Sequence, residues 1–188
     1  MDETTTIDTS LPTVSTDLLD YQPGDTATIT ASNFIIGSTL VFQVQHADGP
    51  GDDGVWGTWD DVIEDTSGEG HEEWYITDGV RTAGADGILG TADDGGDLDG
   101  IADGNITTSW NVTTDDSLGA TFLLTAQTVE AGTDETFGTD DDVTIGPKAT
   151  AAFTDATSLV SSGNLVHRVW DPSGANNDGT LNPYRRSR

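Results

Sequence analysis

The chain has 188 residues, enough to bury one well-formed core and too few for two ordinary domains. Six Lys and Arg stand against 34 Asp and Glu, a formal charge of -28 at pH 7, which excludes nucleic acid and anionic membrane surfaces as partners because their phosphates would be repelled. Cysteine is absent, so neither a disulfide framework nor a thiolate metal site exists, and stability has to come from the core or from hard-cation ligation by oxygen.

The charge is unevenly distributed. Arg168, Arg185, Arg186 and Arg188 all lie beyond residue 158, whereas residues 1–158 carry two cations against 32 carboxylates. No run of about 18 apolar residues is present to insert into a membrane. Met1-Asp2-Glu3 does not begin a basic, apolar secretion signal, so export would use a signal outside this numbering or another route.

In chain order, residues 1–12 form an extension with one strand-forming piece, Thr4 to Ile7. The stretch from Val14 to Leu19 is the first expected strand. After the turn Pro23-Gly24-Asp25, Ala27, Ile29 and Ala31 alternate with Thr, and Leu40, Phe42 and Val44 alternate in the next run. Trp74 and Ile76 mark a short strand. Ile106, Trp110 and Val112 share one face of another, Phe122, Leu124 and Ala126 of a further one, and Ala149, Ala151 and Phe153 of the last. No stretch holds a helical period. The pattern predicts an all-β fold: an antiparallel β-sandwich of about seven strands over residues 13–157, followed by an extension at 158–188 with a second strand-forming piece, Leu165 to Trp170.

Three long Gly/Asp-rich insertions, at 48–65, 84–104 and 130–147, separate these strands, and loops of such length are normally functional or disordered. They contain an internal repeat. Asp53-Gly54-Val55-Trp56-Gly57-Thr58-Trp59-Asp60-Asp61 aligns with Asp86-Gly87-Ile88-Leu89-Gly90-Thr91-Ala92-Asp93-Asp94 and with Asp134-Glu135-Thr136-Phe137-Gly138-Thr139-Asp140-Asp141-Asp142. Closely spaced carboxylates and loop carbonyls can supply the six to eight oxygens that Ca²⁺ takes, and Gly permits the backbone angles that aim carbonyls inward. The apolar fourth residue of each copy is expected to anchor its loop to the sandwich. A second cluster, Asp97, Asp99 and Asp103, has an Asp-x-Asp start without the full EF-hand spacing. Of 27 Asp, 16 fall within residues 48–65, 86–103 and 134–142, which favours ligation over a generally solvated acidic surface.

Other chemistries are weaker. Gly49-Pro50-Gly51-Asp52-Asp53-Gly54 spells a dinucleotide loop, but it lacks a following helix and places carboxylates where a pyrophosphate would sit. His46, His71 and His167 are scattered. His46 is expected to finish a strand and His71 to sit in a loop beside Glu72 and Glu73, hydrogen-bonded or solvent-exposed rather than holding zinc. No Gly-x-Ser-x-Gly elbow occurs, and carboxylates in Gly-rich loops lack the shelter a general acid needs. Trp74 and Trp110 fit core positions, whereas Trp56 and Trp59 lie in an acidic loop and Trp170 in the tail. Loop tryptophans suit packing or an interface, with stacking on sugar rings as the rival. Asn105-Ile106-Thr107 and Asn111-Val112-Thr113 are glycosylation spellings.

Tyr21-Gln22-Pro23-Gly24-Asp25-Thr26-Ala27-Thr28-Ile29-Thr30, Gly70-His71-Glu72-Glu73-Trp74, Asp97-Leu98-Asp99-Gly100, Asp115 to Phe122 and Phe153-Thr154-Asp155-Ala156 resemble the immunoglobulin-like repeats of very large bacterial surface, adhesin and matrix proteins, over roughly residues 14–156. The resemblance implies an extracellular or cell-surface structural role, with calcium rigidifying the module. One unit in place of a tandem array favours a subunit that assembles with itself, head to tail through its termini. The alternative is a carbohydrate-binding module, using Trp56 and Trp59 on surface glycans. An enzyme is not expected.

Overall fold

The computed structural model describes residues 10–65, 70–114 and 119–155, and among these it is all-β with no helix. Eleven strands follow one another: β1 (Thr13–Thr16), β2 (Asp20–Tyr21), β3 (Thr26–Ser32), β4 (Thr39–Gly49), β5 (Val62–Asp65), β6 (Trp74–Thr77), β7 (Arg81–Thr82), β8 (Gly95–Gly96), β9 (Ile106–Asn111), β10 (Thr121–Glu130) and β11 (Val143–Asp155). One sheet has the order β1-β3-β9. A second has the order β2-β11-β10-β4-β5, with β6 also on β4, and β7-β8 is a ribbon of its own.

The seven expected strands are the cores of β1, β3, β4, β6, β9, β10 and β11; β2, β5, β7 and β8 are additional. All pairings are antiparallel except β2 with β11, which is parallel, so the larger sheet is mixed where a wholly antiparallel one was expected. The expected first strand, Val14 to Leu19, breaks at Asp17. That carboxylate accepts bonds from the Thr28 amide at 2.7 Å and the Tyr21 hydroxyl at 2.7 Å, while Tyr21 Oη accepts the Leu18 amide at 2.9 Å. The knot turns the chain out of the first sheet into the second. The Tyr21 hydroxyl bond holds the Asp17 carboxyl below its ordinary value.

The alternation read in the sequence is the packing pattern. Ala27, Ile29 and Ala31 of β3 are wholly buried, as are Leu40, Phe42 and Val44 of β4 and Phe122, Leu124 and Ala126 of β10, and they belong to one cluster fed by both large sheets. Phe122 is its aromatic hub, 5.4 Å from Trp110, 5.1 Å from Phe153 and 4.9 Å from His46 between ring centroids. Trp74 is only half-buried and stacks on Phe42 at 5.5 Å.

β5 and β6 share one edge of β4. β6 covers residues 39–42 and β5 covers 46–49, which leaves a gap between them. His71, 0 % exposed, fills that gap with its side chain: its Nδ1 lies 2.9 Å from the Val44 carbonyl and its Nε2 3.0 Å from His46 Nε2. A carbonyl accepts only from N–H, so His71 carries a proton on Nδ1; with His71 neutral, its Nε2 accepts and His46 donates. The histidines expected to be scattered are thus a buried pair; His71 lies in a loop and is hydrogen-bonded, as expected, but its side chain is in the core, and His167 lies outside the described residues.

Candidate functional site

The three copies of the repeat are the tips of three β-hairpins. Residues 50–61 join β4 to β5, 83–94 join β7 to β8, and 131–142 join β10 to β11, each closing on an equivalent strand pair: Gly49 with Val62, Thr82 with Gly95, Glu130 with Val143. The insertions are therefore shorter than their Gly/Asp-rich composition indicates, because their outer residues pair as strands.

Within each tip the aspartates have fixed tasks. Asp53, Asp86 and Asp134 each accept the amide two residues on, Val55 at 2.7 Å, Ile88 at 2.8 Å and Thr136 at 2.8 Å, forming Asx turns. Asp60, Asp93 and Asp141 reach back across the loop: Asp60 Oδ2 accepts the Asp52 and Asp53 amides, Asp93 Oδ2 that of Asp86 and Asp141 Oδ2 that of Thr133. The other oxygen of each accepts a hydroxyl, from Thr58 at 2.6 Å, Thr91 at 2.8 Å and Thr139 at 2.8 Å. Asp61, Asp94 and Asp142 accept the amides of Gly57, Gly90 and Gly138. The threonine hydroxyl is the foremost reason that the carboxyls of Asp60, Asp93 and Asp141 lie below the ordinary aspartate value.

A glycine two residues before the first aspartate completes the repeat and was missed in the sequence. A Cβ on Gly51 would stand 2.3 Å from the Asp60 carbonyl oxygen, one on Gly84 2.0 Å from that of Asp93, and one on Gly132 2.2 Å from Asp141 Cγ. The loop crosses itself there, and only a residue without a side chain leaves room. Spacing alone carried the signal, Gly-x-Asp in all three copies.

The remaining candidates are placed as follows. Asp140 is exposed, at the position that Trp59 and Ala92 occupy in the other copies. Asp97, 0 % exposed, accepts the Gly79 amide at 2.8 Å and the Thr107 amide at 3.0 Å, and burial pushes its carboxyl above the ordinary value. Asp99 makes an Asx turn to Ile101, and Asp103 accepts the Asn105 amide and side chain. Asp78, not singled out in the sequence, is buried and accepts the amides of Gly37 at 2.7 Å, Gly104 at 2.8 Å and Asp103 at 3.3 Å. Of the apolar fourth residues, Trp56 is half-buried and Phe137 stacks on Tyr75 at 5.9 Å, but Leu89 is 61 % exposed, because its loop closes the separate β7-β8 ribbon.

Charge balance distinguishes the copies. Asp94 carries Arg81, whose Nε lies 2.7 Å from Asp94 Oδ2; the Gly90 amide first and this guanidinium next hold its carboxyl below the ordinary value. Asp61 Oδ1, by contrast, is buried with no hydrogen-bond partner. Among the described residues no group of three or more His, Cys, Asp or Glu is arranged to hold a metal ion. The chain matches no family model, and no curated protein matches it in sequence.

Proposed function

We propose that the chain is an extracellular structural module: an immunoglobulin-like, calcium-stabilised subunit that assembles with copies of itself. The observation that carries the structural role is the use of the repeat's carboxylates, which accept N–H and O–H groups of their own loops and so lock three hairpin tips. Catalytic carboxylates would be held ready for a substrate instead. Strand order supports the immunoglobulin-like reading, since β1-β3-β9 and β11-β10-β4 follow the A-B-E and G-F-C orders of that sandwich.

Support for calcium lies in the unpartnered Asp61 Oδ1, a buried carboxylate oxygen that a cation would satisfy. Asp61 would hold the ion with loop carbonyls, and the ion would neutralise the tip; in the middle copy Arg81 already supplies positive charge. Calcium at a hundredfold over its dissociation constant would add about 2.7 kcal/mol per site. The test is the melting temperature in calcium against chelator. A rise that Asp61→Asn removes and Asp94→Asn leaves supports the reading, and an unchanged melting temperature overturns it.

One observation favours a second reading. Trp59 is 95 % exposed beside a hollow of about 190 Å³ that Gln45, Asp61 and Lys148 also line, an arrangement suited to stacking a sugar ring. Glycan-array binding lost in Trp59→Ala would establish it.

A further inference from the structure

Among the described residues β9 pairs with β3 alone and β6 with β4 alone, so each is an edge strand of its sheet, as β1, β2 and β5 are. A groove of about 640 Å³ is lined from both sides, by Glu72, Glu73 and Trp74 on one and by Ser109, Trp110 and Asn111 on the other. The backbone direction of β9 follows from its neighbours. Val112 exchanges bonds with Gly24 and Asp25 on the β3 side, whereas Thr107 turns its amide to Asp97 and its carbonyl to the Leu98 amide on the opposite side. Strand alternation then points the N–H and C=O of Ser109 and Asn111 away from β3, toward the groove.

We propose that this groove accepts an added β-strand, residues 165–170 from the C-terminal segment of a second copy. The inference rests on the self-assembly reading and names its site. The groove offers the edge of a strand, two aromatic walls and two carboxylates, the requirements of strand addition by a basic, apolar segment. Leu165-Val166-His167-Arg168-Val169-Trp170 is strand-forming in composition, with two valines and a tryptophan, and the 30 residues 159–188 hold four of the chain's six cations while the rest of the chain is strongly acidic. Like-charged bodies repel, so this segment is the part of a second copy that the acidic groove attracts. A contact between unlike surfaces of identical chains propagates into an open polymer unless its rotation closes a ring.

Sedimentation velocity of the full chain over a range of concentrations tests this. The parent should associate. Ser109→Pro should reduce the apparent association constant at least tenfold with an unchanged melting temperature, because the deleted N–H faces the groove and not β3. Should that variant fail to fold, Arg168→Glu should weaken association and Arg168→Glu with Glu73→Arg should restore it. A synthetic peptide of residues 163–172 should shift the parent toward the monomer. A parent that associates while Ser109→Pro, the charge swap and the peptide leave it unaffected overturns the groove but not self-assembly; a parent that stays monomeric at every concentration overturns both.

Discussion

His71 occupies a position that backbone would fill in a continuous sheet. Between β5 and β6 the Val44 carbonyl would be buried without a strand opposite it, and the imidazole supplies the missing donor at 2.9 Å while accepting from His46 at 3.0 Å. Truncation removes both bonds and leaves a void beside Phe122 and Trp110. His71→Ala should therefore cost roughly 2–6 kcal/mol, at about 1–3 kcal/mol for each buried group that loses its partner. His71→Asn should recover part of the loss only if its amide reaches Val44. Urea unfolding followed by tryptophan fluorescence measures both. An alanine variant as stable as the parent would show that the pair carries no structural load.

The hairpin tips make the corresponding point for elements. Seven strands were legible because one face of each is buried, as with Ala27, Ile29 and Ala31, so that period two is written in the residue types. β7 and β8, Arg81–Thr82 and Gly95–Gly96, have no apolar face and pair through backbone alone, so nothing in composition marks them. The repeat was legible as a repeat, but its physical content was not. Spacing cannot say whether Asp60 faces an ion or the amides of Asp52 and Asp53, nor that Gly51 clears space for the Asp60 carbonyl. Asp78 escaped notice because an isolated acid carries no pattern until the amides of Gly37 and Gly104 are folded around it. The locked tips predict slow amide exchange where Gly-rich loops normally exchange fast. The Gly57, Gly90 and Gly138 amides should be protected, and Asp94→Ala should release Gly90 while leaving Gly57 and Gly138 protected. Gly84→Ala, whose Cβ would stand 2.0 Å from the Asp93 carbonyl, should open the middle tip more than Gly87→Ala, which meets nothing within 4 Å but has φ +70°. Equal exchange in all these variants would mean that the carboxylates do not hold the loops.

For the molecule as a whole, carboxylates act on stability in two opposite senses, and pH separates them. Asp60, Asp93, Asp94 and Asp141 have folded-state values below the ordinary 3.8, so their contribution is fully present above 3.8 and is lost as pH falls through their folded values. Asp97 is shifted upward by burial, so the folded state takes up its proton first, and stability increases as pH falls through that raised value toward 3.8. Mutual repulsion within a chain of charge -28 acts in the same direction as Asp97, since each proton gained above 3.8 reduces it. Stability should thus rise from pH 7 to a maximum above the ordinary value of 3.8 and then fall steeply, rather than declining steadily from neutrality. Salt distinguishes the contributions. Raising ionic strength from about 0.1 to about 1 M shortens the screening length from roughly 10 to roughly 3 Å, which suppresses repulsion between distant surface charges and leaves the buried Asp97 nearly untouched. In high salt the maximum should be shallower, and Asp97→Asn should remove what remains of it, at lower overall stability because one of the amides of Gly79 and Thr107 would face an NH₂ group. Denaturant unfolding at half-unit pH steps in both salts gives the curve; a stability that only falls from pH 7 downward would mean that neither burial of Asp97 nor net charge opposes folding at neutral pH.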